Sequence, residues 1–353
     1  MERLTPLPWQ GALWQQVAAG RERMPHALLL HGARGIGKRH FAHALAQSLL
    51  CEAPEEGPAL ACGQCSGCQL LAADNHPDLR WLVPEVDQPM RDELDDEQDD
   101  GATPGSSKST KPSRAILIDQ VRAIGEFLAL AAHRGGRRVV ILAPAEALNG
   151  PAANALLKLL EEPPPGAVFI AVTDELDAVL PTVRSRCVLL RAPVPETAVA
   201  LTWLRAQGVE DAEAKLAEAG GAPVGLEVVD EDARRLAPDL KARLLDLLTR
   251  GGRLSLSEVV SAVPKDIPVP AAIRLFQCWG WDLLAERAAG RVRYHPRHQR
   301  AIASVARACE PERLLAWLGR LDDAQATAEH PLNARLVVES ALIGYLDAVR
   351  PAR

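Results

Sequence analysis

A chain of 353 residues that is 48% apolar is long enough for two or three domains, each burying its own core, yet it holds no run near the roughly 20 consecutive apolar residues of a membrane span. The net charge of −6 is unevenly placed: residues 85–100 carry nine acids against one base, so the rest of the chain nets only +2, which excludes the strongly basic footprint of a dedicated DNA binder. Seven cysteines, and an N-terminus (Met1-Glu2-Arg3-Leu4-Thr5-Pro6) without the basic and apolar blocks of a secretion signal, argue for reduced thiols or metal ligands in a cytoplasmic protein.

The first predicted element is a strand, Ala27-Leu28-Leu29-Leu30, whose unbroken apolar run suits burial on both faces. It leads through Gly32-Ala33-Arg34-Gly35-Ile36-Gly37 into a helix with an inner face of Phe41, Ala44, Leu45 and Leu49. A turn-rich segment with Cys51, Cys62, Cys65 and Cys68 follows, and then the acidic stretch, which runs into Gly, Ser, Thr and Pro with almost no apolar residues. Residues 86–113 are therefore expected to form a solvated, mobile insertion, with an acidic interaction segment as the alternative. Val139-Val140-Ile141-Leu142 and Ala167-Val168-Phe169-Ile170-Ala171-Val172 repeat the buried-strand pattern. Between them Ala152, Ala155, Leu156, Leu159 and Leu160 make one helical stripe, with Asn149 as N-cap and Pro163-Pro164-Pro165 as the stop. Strands alternating with helices predict a parallel sheet covered on both faces. After about Ala192 only helical patterns continue, which predicts one or two all-helical domains.

Two local patterns carry chemistry. Gly32-x4-Gly37-Lys38 matches a phosphate loop, in which backbone N–H groups and a lysine cradle phosphates, with Gly32, Gly35, Gly37 and Lys38 as the candidate nucleotide-binding residues. The next residue, which should be Ser or Thr to hold magnesium, is Arg39, and Ala143 and Pro144 stand where the second strand should end in a carboxylate pair. Without those groups phosphoryl transfer lacks its electrostatic supports. The loop then serves strand–helix packing alone or retains nucleotide binding without turnover; Glu146 lies two or three residues past the acidic positions it could replace. The second pattern is Cys51-x10-Cys62-x2-Cys65-x2-Cys68, four thiols that suit a closed, structural zinc site. An iron–sulfur cluster or unrelated thiols are the alternatives, and Cys187, Cys278 and Cys309 read as small buried side chains.

The loop, the cysteine cluster after the next helix, the run Ala153-Asn154-Ala155-Leu156-Leu157-Lys158-Leu159-Leu160-Glu161-Glu162-Pro163-Pro164 and the Ser185-Arg186-Cys187 triplet together resemble the bacterial DNA polymerase III clamp-loader ATPases. Pro25-His26-Ala27-Leu28-Leu29, Asp119-Gln120-Val121-Arg122 and the segment from Asn333 to Glu339 are weaker echoes. The resemblance implies an α/β RecA-like AAA+ phosphate-loop domain over residues 1–192 with a zinc module at about 51–80, a small helical lid over 193–236 and an all-α collar over 237–353. Arg39, Ala143 and Pro144 resemble the branch that has lost hydrolysis while still presenting the Ser-Arg-Cys arginine, here Arg186, to a neighbour. That branch assembles with gamma/tau and delta in a hetero-pentamer that loads a sliding clamp onto primed DNA. From spacing alone Arg186 reads equally as one half of an intramolecular salt bridge. A gamma/tau-like active ATPase, an autonomous ATPase such as a helicase loader, and a zinc-dependent DNA-binding AAA+ protein are the competing functions.

Overall fold

The Leu, Val and Ile runs form five short strands in one parallel sheet: β1 (Ala27–His31), β2 (Leu79–Leu82), β3 (Arg138–Leu142), β4 (Ala167–Thr173) and β5 (Val188–Arg191), ordered β2-β3-β4-β1-β5. The computed structural model describes residues 3–55, 57, 59–88, 113–130, 132–133, 136–228, 236–327 and 333–350. Its chain separates into two units, Met1–Val194 and Pro195–Arg353.

In the first unit β3 and β4 are buried along their whole length, which suits the apolar runs Val139–Leu142 and Ala167–Val172; the buried ends of the strands also include Arg138, beside buried Asp78, and Thr173. The helices are α1 (Gly11–Ala19), α2 (Lys38–Leu50), α3 (Ser66–Ala72), α4 (Ile118–Ala129), α5 (Gly150–Glu161) and α6 (Pro181–Arg184). Side chains alternate across a strand, so Ala27, Leu29, Val140, Leu142, Phe169 and Ala171 face one side and pack with α4 and α5. Helix α2 packs against β1, β3 and β4 and is buried almost all round, with Phe41, Ala44, Leu45 and Leu49 all inside. Asn149 does cap α5, accepting a hydrogen bond from the Ala152 N–H at 2.8 Å. Strands β2 and β5 and helix α4 go beyond the predicted elements. β2 also places Leu79 and Arg80 in the sheet, so the cysteine module ends before residue 80. The expected insertion at 86–113 is ordered at both ends: residues 85–87 form a 3-10 turn, and the Val86 N–H donates to the Ser113 carbonyl at 3.3 Å. Residues 89–112 lie outside the described residues.

Among the described residues the second unit contains helices and no strands: α7 (Thr197–Ala206), α8 (Ala212–Glu218), α9 (Gly225–Val228), α10 (Pro238–Arg250), α11 (Leu256–Ala262), α12 (Val269–Ala289), α13 (Gln299–Ala308), α14 (Pro311–Thr327) and α15 (Ala334–Val349). Its apolar residues form a small cluster around Ala200, Leu204, Ala212 and Leu216, and a large one running from Leu244 to Val349. Aromatic side chains in the large core have their polar tips paired: Trp279 Nε1 donates to the Tyr345 hydroxyl at 3.2 Å, which donates to the Leu248 carbonyl at 2.5 Å. Asn333 caps α15 through the Leu336 N–H at 3.1 Å, a structural role for that motif.

Asp282, fully buried on α12, ties down the loop after that helix. Its carboxylate accepts the backbone N–H groups of Arg293, Tyr294 and His295 at 2.7–2.8 Å and faces His295 Nδ1 at 2.8 Å. Burial alone would raise its pKa, but the hydrogen bonds from His295, Tyr294 and Arg293 outweigh that and hold the carboxyl below its ordinary value. Asp282→Ala leaves three backbone donors unpaired and removes the partner of His295 Nδ1, and should cost about 3 kcal/mol or more, read from urea unfolding at pH 7. Because the folded carboxyl titrates below the unfolded value of about 3.9, its contribution is complete above that pH. The gap between variant and wild type should therefore shrink as the pH falls below about 4.

Candidate functional site

The glycine loop joins β1 to α2 at the carboxyl edge of the sheet, where phosphate sites of such folds lie. Gly37 is the N-cap of α2 at φ +85°, a left-handed conformation that side chains resist. At Gly32 a Cβ would stand 3.1 Å from the Ala192 carbonyl and 3.2 Å from Ile36 Cδ1, a tight fit, and the φ of +150° is one that side chains rarely adopt. The N-terminal segment clamps the loop from outside: Trp9 Nε1 donates to the Ile36 carbonyl at 2.9 Å, and buried Gln10 donates through Nε2 to the Ile36 and Gly37 carbonyls at 3.2 and 2.9 Å.

Lys38 does not present its ammonium to solvent. Its side chain is 3% exposed and pairs with Asp174 Oδ1 at 2.5 Å, while Nζ also donates to the Gly32 and Ala33 carbonyls at 2.7 and 2.6 Å. An ammonium has three donors, and all three are engaged inside the protein. Arg39 reaches across to the end of β3, where Nη2 donates to the Ala143 carbonyl at 3.2 Å and lies 3.5 Å from Asp87 Oδ2. A guanidinium thus occupies the side of the loop where a metal-binding hydroxyl was expected, facing a backbone carbonyl in place of a carboxylate pair. Glu146 is tied to the neighbouring strand through one oxygen, its Oε1 accepting the Asp174 N–H at 3.1 Å, while its Oε2 is buried without a hydrogen-bond partner. Sequence reading missed Trp9, Gln10 and Asp174. The one available signal was the polar pair Thr173-Asp174 closing an otherwise apolar strand at the carboxyl edge of the sheet.

The four cysteines converge as their spacing predicts. Cys51 ends α2, Cys62 lies in the intervening loop, Cys65 caps α3 and Cys68 sits inside it. Their Sγ atoms all lie within 4.8 Å of one another, with Cys51–Cys65 at 3.8 Å and Cys62–Cys68 at 4.0 Å. Those separations are far too long for a disulfide of about 2.05 Å. They are close to the edge of a tetrahedron with metal–sulfur bonds of about 2.3 Å, roughly 3.8 Å. Backbone N–H groups point at the sulfurs: Cys62 N to Cys51 Sγ at 3.2 Å, Gln64 N and Cys65 N to Cys62 Sγ at 3.4 and 3.3 Å, and Cys68 N to Cys65 Sγ at 3.4 Å. The Gln64 and Cys65 N–H groups pull the Cys62 thiol down to about 6, whereas burial pushes Cys51 and Cys68 up. A single cation at the centre favours the thiolate at all four. Gly67 has no room for a side chain, since a Cβ would meet the Leu50 carbonyl at 2.8 Å.

Arg186 lies at the turn from α6 into β5. Its Nη1 donates to the Thr182 carbonyl at 2.9 Å and to Ser185 Oγ at 3.4 Å, and its Nη2 pairs with Glu161, the last residue of α5. The intramolecular pairing is therefore present in this chain. Its side chain is nonetheless 34% exposed, and an exposed ion pair is worth about 0–1 kcal/mol, so the pair with Glu161 by itself holds the guanidinium only weakly. Ser185 Oγ donates to the Thr182 carbonyl at 3.1 Å, a capping role. Cys187 packs against the core, and burial raises its thiol to about 11.

A five-stranded parallel sheet with a glycine loop running from β1 into α2 defines a phosphate-loop α/β protein resembling the RecA-like AAA+ fold, here with its metal-binding side chains replaced. Residues 11–195 match the family described as DNA polymerase III, delta subunit. The DNA polymerase III subunit delta' of Pseudomonas aeruginosa is 38% identical over 286 residues, 78% of this chain and 76% of that protein. The subunit delta' of Escherichia coli K12 is 34% identical over 212 residues, 60% of this chain and 55% of its own length. This chain belongs to the DNA polymerase III delta' family. A solved DNA polymerase III gamma subunit-related protein from Thermotoga maritima aligns over 95% of this chain and all of its own, with 18% identity and a TM-score of 0.49. Among the described residues no helix is long and apolar enough to cross a membrane.

Proposed function

We propose that this chain is the subunit of a DNA polymerase III clamp loader that hydrolyses no ATP itself and completes a neighbour's site. In this reading it assembles in the cytoplasm with gamma/tau and delta in a hetero-pentamer, offers Arg186 in trans to a neighbour's nucleotide, and so helps to load the sliding clamp onto primed DNA. Residues 1–192 are the AAA+ domain, residues 193–236 a helical lid, and residues 237–353 the collar through which the subunits assemble. Cys51, Cys62, Cys65 and Cys68 hold one zinc ion that crosslinks the segment between α2 and α3. Four thiolates close its coordination, so the ion is structural.

The observation that carries this reading is the state of the phosphate loop. Its lysine is saturated by internal partners, and its metal-binding positions are Arg39, Ala143 and Pro144. Phosphoryl transfer depends on a bound metal and preorganised charge, and these residues supply neither. A DNA-binding role for the cysteine module draws no support from residues 51–80, whose one base is Arg80. The purified chain should show no ATP turnover above background, and it should co-purify with gamma/tau and delta when the three are mixed. Turnover by the chain alone, or failure to enter the complex, would overturn the proposal.

A further inference from the structure

We infer that the phosphate loop is a latent anion site whose occupant is the chain's own Asp174, and that removing this one charge opens the loop to the phosphates of a nucleoside diphosphate without a metal ion. The inference deepens the reading of the loop as inactive, by naming the residue that keeps phosphates out.

The scaffold of an anion site is intact. Gly32, Gly35 and Gly37 hold φ values of +150°, +76° and +85°, and the loop delivers the N-terminus of a 13-residue helix beginning at Lys38. Such a terminus favours negative charge through its N–H groups and its dipole. Cations gather at the loop: Lys38 is 2.5 Å from Asp174 Oδ1, Arg34 Nε is 4.0 Å from Oδ2 of the same carboxylate, and Arg39 follows Lys38 on α2. The Lys38 side chain is 3% exposed, and a buried charge must be countered. Here the counter-charge is a carboxylate, which offers the lysine what a phosphate oxygen would offer.

The register of the sheet explains why Asp174 fills this role. His31 pairs with Thr173, so the residue after Thr173 emerges beside the residue that starts the loop. The backbone N–H of Asp174 is held at 3.1 Å by Glu146 Oε1, which fixes the carboxylate without using its oxygens. Asp174→Asn keeps that bond and the side-chain shape but removes the charge, leaving the ammonium available to an incoming anion. The ligand class is a diphosphate without metal, because Arg39 and the Ala143 carbonyl occupy the side where magnesium would be held.

The test is calorimetric titration of the full-length chain with ADP and with pyrophosphate, both free of magnesium. Asp174→Asn should bind each at least about tenfold more tightly than wild type, and adding Lys38→Ala to that variant should abolish the gain. Equal affinity of wild type and Asp174→Asn, or a gain that survives Lys38→Ala, overturns the inference. Asp174→Ser serves as a second variant, and a measurement on the unaltered chain covers the case in which both fail to fold. In wild type, Lys38 should be acylated by an amine-reactive reagent at least about tenfold more slowly than exposed lysines such as Lys215, because all three of its donors are engaged. Acylation at the rate of Lys215 overturns the lock directly. All of these readouts use the isolated chain, so their failure leaves the assembly test untouched, and failure to assemble leaves them untouched.

Discussion

Cys68→Ser should strip the metal from the chain and unravel the segment between α2 and β2 while leaving the helical second unit folded. Helix α3 has seven residues, far fewer than a helix needs to be stable in isolation. The apolar cluster beneath it consists of Cys51, Ala61 and Cys68, with Cys62 and Cys65 packed against them. The core of this module is thus the thiols themselves, and in the proposed reading a zinc ion would be what joins them. Wild type should carry close to one zinc per chain by elemental analysis, and Cys68→Ser almost none. Losing a structural metal belongs among the few changes that cost more than about 3 kcal/mol, so residues 52–75 should become open to limited proteolysis. The second unit has its own core and should keep its unfolding transition. Iron in place of zinc, or a metal-free wild type that resists protease equally well, would refute the assignment.

Arg186→Ala should leave the chain folded, metal-loaded and able to assemble, yet lower the DNA- and clamp-stimulated ATPase of the reconstituted complex. An arginine supplied across an interface is worth roughly 10³ to 10⁵ in rate at the site it completes. One site in the ring would borrow this residue, so total turnover should fall partially unless the sites fire in concert. Arg186→Lys should rescue poorly, because an ammonium keeps the charge but loses the planar fork that grips two phosphate oxygens. Glu161→Gln separates the two roles of Arg186. If the arginine served only its pair with Glu161, the two losses would have the same effect; the role in trans requires that only the loss of Arg186 slows ATP hydrolysis and clamp loading. Wild-type turnover and loading with Arg186→Ala would make the residue structural.

The parts of this protein that could be read directly are those encoded by local pattern. β1, β3 and β4 announce themselves because a strand buried on both faces reads as a near-continuous apolar run, here broken only at an end by His31, Arg138 or Thr173. Asn149 and the glycine loop act within one turn of chain, and the two Cys-x2-Cys steps bring thiols together through local turns. β2 and β5 escaped because they are edge strands of four residues in which exposed and buried positions mix, so neither period stands out. Helix α4 was legible in principle: Val121, Ile124 and Leu128 form its buried stripe, but residues 119–122 stood out as a motif and not as the start of a helix.

The state of the phosphate loop could not be read in the same way. Sequence shows that Arg39, Ala143 and Pro144 stand at the metal-binding positions, and the proposal that hydrolysis is lost rests on that alone. Whether Lys38 still faces an open site depends on which strand lies beside β1, and periodicity carries no information about strand order. The fold places β4 next to β1 with His31 opposite Thr173, which delivers Asp174 to Lys38 across 136 residues of chain. The pairing of Glu161 with Arg186 likewise depends on how α5 and α6 pack. Burial leaves a trace in residue type at each position, whereas a pairing of charges between distant segments exists only once the sheet has set its neighbours and register.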